Sequence, residues 1–258
     1  MKPVLPALLI SFLASHHAMA QQQQQQRWGL GLGAAVSDSV YAGEGTRVRA
    51  VPLLTYEGER FFWRGIGGGA HLLRQGGLSL DATLSARFDG IDRKDFGTAE
   101  LARRGVDRAL VDDRDDGLDL GLAASWRGAY GQIEVAVKGD VTSASKGYEA
   151  GLRYAYPLQF GGTRITPNAG VSHLSKKLAN YYYGTLAAEA ARGVPDYGPG
   201  GATVPRIGID VFHPFAGRWA VIGNVSYRRL PDRLQDSPLV EEGKDGAASA
   251  FIGVARQF

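Results

Sequence analysis

The chain has 258 residues, with 29 basic and 26 acidic side chains, a formal net charge of +3, 36 glycines and no cysteine. Disulfides, thiol nucleophiles and thiolate metal sites are thereby excluded. The charges nearly balance and no basic cluster is interleaved with aromatics, so a pI near 9.1 does not argue for nucleic acid.

Residues 1–20 read as a secretory signal peptide, with Lys2 as the positive start, Val4 to Ala14 as the apolar stretch and Ala18-Met19-Ala20 as the cleavage site. The apolar stretch falls short of the roughly 20 residues needed to cross a bilayer. Residues 21–27 follow as a Gln-rich leader expected to be disordered, because a polar low-complexity tract has nothing to bury.

From Trp28 the chain alternates. Trp28, Leu30, Leu32, Ala34 and Val36 face one way, with Gly29, Gly31 and Gly33 behind them. Val48 to Leu73 is ambiguous, since Glu57-Gly58-Glu59 and Gly65 to Gly69 both read as turns. Alternation then becomes clean: Leu78, Leu80, Ala82 and Leu84 against Asp81 and Arg87; Leu118, Leu120, Leu122 and Trp126 against Asp119 and Arg127. Ile133, Val135 and Val137 oppose Glu134 and Lys138, and Leu152, Tyr154 and Tyr156 oppose Glu149 and Arg153. Later segments set Ile165 against Arg164, Ile207 and Ile209 against Arg206 and Asp210, and Val225 and Tyr227 against Arg218 and Arg228. The last run, Ala248 to Phe258, ends on an aromatic that would serve as a signal to the barrel-assembly machinery.

Segments of about 10 residues, apolar on one face and polar on the other, are the mark of transmembrane β-strands. The expected fold is therefore all-β: a transmembrane antiparallel β-barrel over residues 28–258, of about 12 strands, with 10 as the alternative. A soluble sandwich or lipocalin-type barrel also alternates. Against it stand the charges of both signs on the polar face and the aromatics gathered at one set of strand ends. These are Trp28, Trp126, Tyr130, Phe160, Phe215, Trp219 and Phe258, the girdle of a membrane interface. Short turns beside this girdle at Arg74–Gly77, Gly128–Ala129, Gly161–Gly162 and Ala216–Gly217 mark the periplasmic side. Long connections at Gly90–Asp116, Leu178–Pro205 and Pro231–Asp245 mark the extracellular side. The polar faces place Asp81, Arg87, Asp119, Arg127, Glu134, Lys138, Glu149, Arg153, Arg164, Arg206, Asp210, Arg218 and Arg228 in the lumen, where opposite charges should pair and block conduction.

Asp112-Asp113-Arg114-Asp115-Asp116 clusters carboxylates as a calcium loop does, but without that spacing and with an arginine inside; a solvated loop is the simpler reading. Glu100 to Leu110 reads as one or two helical turns broken at Gly105, and Thr185 to Arg192 as a short helix. His173-Leu174-Ser175 could pair a base with a nucleophile, with Glu189 as a distant orienting acid. That spacing is similar to outer-membrane lipid A deacylases; the plain alternative is a lipid-facing histidine and a loop serine. No other catalytic or metal motif appears, so the chain is expected not to be an enzyme and to need no cofactor or metal.

Asn180-Tyr181-Tyr182-Tyr183-Gly184, followed by Glu189-Ala190 and then by Asp236-Ser237-Pro238-Leu239-Val240, is the most distinctive combination. With the aromatic C-terminus it resembles the MipA/OmpV family, the MltA-interacting outer-membrane proteins. The resemblance implies an outer-membrane location, contact with lipopolysaccharide, and a scaffold role linking a lytic transglycosylase to a peptidoglycan synthase. A narrow porin-like channel for small polar solutes is the alternative, and a monomer is expected. The Tyr181–Tyr183 and Asp236–Val240 segments are expected to pack together over the barrel mouth.

Overall fold

The computed structural model describes residues 28–258. The expected signal peptide and Gln-rich leader, residues 1–27, lie outside the described residues.

A single antiparallel sheet of 13 strands curls into a closed ring. In chain order the strands are β1 (Trp28–Asp38), β2 (Thr46–Glu57), β3 (Phe61–Arg64), β4 (Gly67–Gln75), β5 (Leu78–Arg87), β6 (Gly117–Gly128), β7 (Gly131–Asp140), β8 (Tyr148–Ala155), β9 (Leu158–Phe160), β10 (Thr163–Leu174), β11 (Ala202–Phe215), β12 (Trp219–Arg229) and β13 (Gly246–Gln257). β1 pairs with both β2 and β13, and β10 with β11, so the ring closes. β8 and β9 both pair with β10 and are one wall strand, interrupted at Tyr156-Pro157. Proline cannot donate to a ladder, which accounts for the break. Counted as wall positions, the barrel has twelve strands. The ambiguous Val48–Leu73 region resolves into the rest of β2, a strand β3 of only four residues, and most of β4.

The outward face is apolar: Leu32 is 64% exposed, Val48 70% and Ile252 63%. A continuous belt of this kind is stable against lipid and not against water. No helix among the described residues is long and apolar enough to cross a membrane; the crossing is made by strands. Trp28, Trp126, Tyr130, Phe160, Phe215, Trp219 and Phe258 are all exposed at the end of the barrel that carries both described chain ends. Turns at that end are tight. Gly76 and Gly77 both take positive φ between β4 and β5, the geometry of a two-residue hairpin turn, and a Cβ on Gly77 would lie 2.4 Å from the Arg127 carbonyl.

Two fillings occupy the lumen. Ala35, Leu53, Ile222, Phe251 and Ala255 form an apolar cluster on the β1, β2, β12 and β13 side, with the Phe251 ring lying over Gly33. Charged side chains fill the β5–β8 side. The opposite mouth is covered by a lid built from the long connections and four short helices: α1 (Thr98–Arg103), α2 (Lys176–Tyr183), α3 (Ala187–Ala191) and α4 (Asp232–Gln235). Both bounds of the expected Leu178–Pro205 connection move: β10 ends at Leu174 and α2 already starts at Lys176, while the last residues, from Ala202, belong to β11, so Pro205 stands in a strand. Pro205 is lipid-exposed and pairs with Val171.

Candidate functional site: the lid and the lumen beneath it

The lid holds the other two buried apolar clusters. In one, Leu178, Tyr182 and Tyr183 of α2 pack on Val40, Leu230, Leu234 and Val240; in the other, Tyr41 packs on Ile91, Phe96, Leu101 and Leu239. Ser175 starts α2: its hydroxyl accepts hydrogen bonds from the N–H of Leu178 (3.4 Å) and of Tyr148 (2.9 Å). Burial pushes the phenols of Tyr41, Tyr182 and Tyr183 above their usual range, so they stay protonated. Tyr41 donates to the Asp89 carbonyl and Tyr182 to the Asp115 carbonyl, each at 3.1 Å, while Tyr181 Oη accepts from the Asp115 N–H at 2.8 Å.

At the centre of the lid, Arg114 and Glu189 form a bidentate pair at 2.8 Å for both bonds, with no side-chain exposure on either residue. Arg114 also donates to the carbonyls of Tyr181 (2.6 Å), Asp112 (2.9 Å) and Gly184 (3.1 Å). Glu189 accepts the N–H groups of Asp112 and Leu186, each at 2.7 Å, the second at the start of α3. A planar fork suits this task where a lysine would not. One arginine thus ties the β5–β6 loop to the Tyr181–Gly184 segment and α3. Arg104 makes the matching tie, donating to the carbonyls of Asp236 (3.0 Å) and Ser237 (2.9 Å). Ser237 and Pro238 are buried and Asp236 is exposed. Nothing in the sequence joins Arg114 to Glu189 except a pattern of charges 75 positions apart.

The acidic run around Arg114 is divided among separate partners. Asp112 pairs with Arg192 at 2.7 Å, Asp113 accepts the Arg93 N–H at 2.6 Å, and Asp116 accepts the Gly90 N–H at 3.0 Å. No metal-holding cluster occurs among the described residues. His173 bonds Thr203 Oγ1 at 3.0 Å on the lipid side, Ser175 caps α2 and Glu189 holds Arg114, so these three residues do not assemble.

Below the lid the charges lie in layers. Arg87 is bound by Asp119 (2.7 Å), Glu149 (2.7 Å) and Asp89 (3.0 Å), and Lys138 adds Asp119 (3.2 Å) and Glu149 (3.6 Å). Next, Asp210 takes Arg153 (2.6 Å), Asn224 (2.6 Å) and Asn168 (3.1 Å). Lower still, Asp81 meets His71 at 2.6 Å, and Glu57 takes Arg64 at 2.9 Å as well as Arg74. Arg127 reaches Gln132 at 3.4 Å, and Glu134 and Arg206 face inward. Arg218 lies exposed in the β11–β12 turn, outside the lumen. Unpaired buried charge is costly, and this pairing is what lets a narrow barrel carry such a lumen.

Kinship to other proteins covers the same span as the barrel and its lid. The family model described as "MltA-interacting protein MipA" matches residues 30–258. The chain belongs to the MipA family. A relative from Escherichia coli K12, "MltA-interacting protein", is 31% identical over 229 residues, covering 88% of this chain and 89% of its own. "Putative outer membrane protein YiaT" of the same organism is 28% identical, covering 83% and 85%. Omp26La of Vibrio anguillarum is 27% identical, covering 80% and 90%. Among solved structures, the NanC porin has a TM-score of 0.48 at 8% identity, covering 89% of this chain and all (100%) of its own. This MipA-family chain is an outer-membrane protein. In barrels of this kind the short turns lie on the periplasmic side and the longer loops outside.

Proposed function

We propose that the protein is an outer-membrane anchor that docks a lytic transglycosylase at its periplasmic rim, and that it does not conduct solutes steadily. The observation that carries this reading is the closure of the outer mouth by the lid that Arg114 and Glu189 pin together, above paired charge layers. A barrel so filled has lost the open lumen a porin needs. The 31% identical relative is named for interaction with MltA, which supports docking as the shared role. A peptidoglycan synthase recruited through the docked enzyme is the further member of such a complex.

The test is a cross-linked pull-down of the tagged protein from solubilised envelopes. Recovery of a lytic transglycosylase is expected, reduced by charge reversal at Arg60 and Arg218, which are exposed in periplasmic turns. Recovery of lipopolysaccharide and assembly factors alone would refute the reading, as would large steady currents in planar bilayers.

A further inference from the structure

The barrel wall is incomplete on one flank. β3 has four residues where β2 has 12. On that flank β2 therefore pairs only over Thr55–Glu57, with one further bond from the Gly65 N–H to the Leu54 carbonyl. Alternation directs the backbone N–H and C=O groups of Thr46, Val48 and Ala50 to the same flank as Leu54, and no strand among the described residues pairs with them there. Pro52, which has no N–H to leave unpaired, stands in the same row. An open strand edge at membrane depth persists only where it borders a polar cavity or acquires a polar partner.

Such a cavity lies behind it. A space of about 80 Å³ touches Arg47 on one side of the gap and Phe88 and Asp89 on the other, and reaches Arg206 and Arg228. Its acids are already engaged: Asp38 by Lys244, and Asp89 by Arg87 at 3.0 Å. Arg228 stands 3.9 Å from Asp89, and Arg206 has no ion pair among the described residues. Arg49, one inward-facing position further along β2 and just outside the cavity's lining, has a buried Nη1 with no hydrogen-bond partner, with Arg47, Asp116 and Glu44 as its nearest charges. The gap opens in the half of the wall next to the lid, at outer-leaflet height, where Asp38 and Thr46 pair at the strand tops. Near its top, Arg47 Nη2 donates to the Gly90 carbonyl at 3.3 Å, so the opening is a window bridged there by one side chain.

We propose that this window admits the phosphate-bearing headgroup of an outer-leaflet glycolipid, which Arg49, Arg206 and Arg228 hold while its acyl chains stay against Val48 and Pro52. The surplus of guanidinium over carboxylate selects an anion, and phosphate matches the guanidinium fork. The outward apolar face of β2, with Val48 70% exposed, receives the chains. This site is separate from the periplasmic rim, so it stands or falls independently of the docking reading.

The test measures lipid retention by native mass spectrometry of the full-length mature protein in detergent, offered lipid A or its dephosphorylated form. A one-to-one adduct with lipid A is expected, and roughly tenfold weaker binding of the dephosphorylated form. Arg49→Gln and Arg206→Gln should each weaken lipid A binding by a similar factor, with heat-modifiable migration reporting that the barrel still folds. Ala50→Trp, at the window, should abolish the adduct, whereas Ala250→Trp, on the fully paired lipid face of β13, should leave it intact. Equal retention of both lipids, indifference to the arginine variants, or an adduct that survives Ala50→Trp would overturn the proposal. So would full displacement of the lipid by millimolar inorganic phosphate, which would mark a site for soluble anions.

Discussion

Glu189→Gln removes one charge and almost no volume from the centre of the lid. The native carboxylate accepts four hydrogen bonds: two from Arg114 at 2.8 Å and one each from Asp112 and Leu186 at 2.7 Å. Both partners of the ion pair are fully buried, so neutralising the acid strands the Arg114 guanidinium among carbonyl groups. Removing one member of a buried pair costs about 3–5 kcal/mol. Glutamine keeps one acceptor, which places this case near the lower limit. At about 1.4 kcal/mol per tenfold, a loss of about 3 kcal/mol raises the open population of the lid more than a hundredfold. Hydrogen exchange in lipid nanodiscs reads this directly at the Asp112 and Leu186 amides, both bonded to the carboxylate. Their exchange should accelerate by about two orders of magnitude while amides of β6 and β12 keep their protection. Acceleration of less than about threefold would refute the assignment of Arg114–Glu189 as the pin of the lid.

Arg87→Ala should be more damaging to the whole barrel, since it leaves Asp119 and Glu149 with only Lys138 and Asp89 with only the more distant Arg228; a loss of about 3–5 kcal/mol should lower the urea midpoint in vesicles, and an unchanged midpoint would contradict the layered pairing. Partial burial and the nearby Asp89 push the Asp116 carboxyl up to about 6. An acid with a raised folded pKa binds its proton more tightly in the closed loop. Its contribution is thus present below the ordinary carboxylate range and lost as pH rises through about 6. Proteolytic nicking of the β5–β6 loop should be slower at pH 5 than at pH 7.5, and Asp116→Asn should remove the difference; equal rates in the native protein would count against it. His173→Ala should leave the lipid A acyl pattern unchanged, while Ser175→Ala should cost about 1 kcal/mol through the lost α2 cap. A changed acyl pattern in either variant would revive the catalytic reading.

The wall was legible because lipid and lumen are opposite solvents, and a strand between them must alternate. Leu78–Arg87 and Gly117–Gly128 show that alternation at full length, and both are strands. β3 was not legible: four residues show no period, and the real turn at Gly65, which takes positive φ, runs straight into the strand glycines Gly67 to Gly69. α2 was hidden for a different reason. Tyr181-Tyr182-Tyr183 is a poor helix former on intrinsic preference, and the helix exists because Ser175 caps it and its buried face packs on Leu230 and Val240. Arg114 appeared in the sequence as an intruder in an acidic run. Its partner lies in a different loop, and only the closed barrel mouth brings Glu189 to it. The open flank of β2 likewise depends on how far its neighbour extends, a property of pairing and not of β2's own residues.

Binding between the purified barrel in nanodiscs and a purified periplasmic lytic transglycosylase tests the central claim most directly. Saturable binding is expected, weakened by charge reversal at Arg60 and Arg218 and unaffected by Glu189→Gln in the lid. Absence of binding, or binding lost when the lid is loosened and kept when the rim is reversed, would contradict a periplasmic anchor.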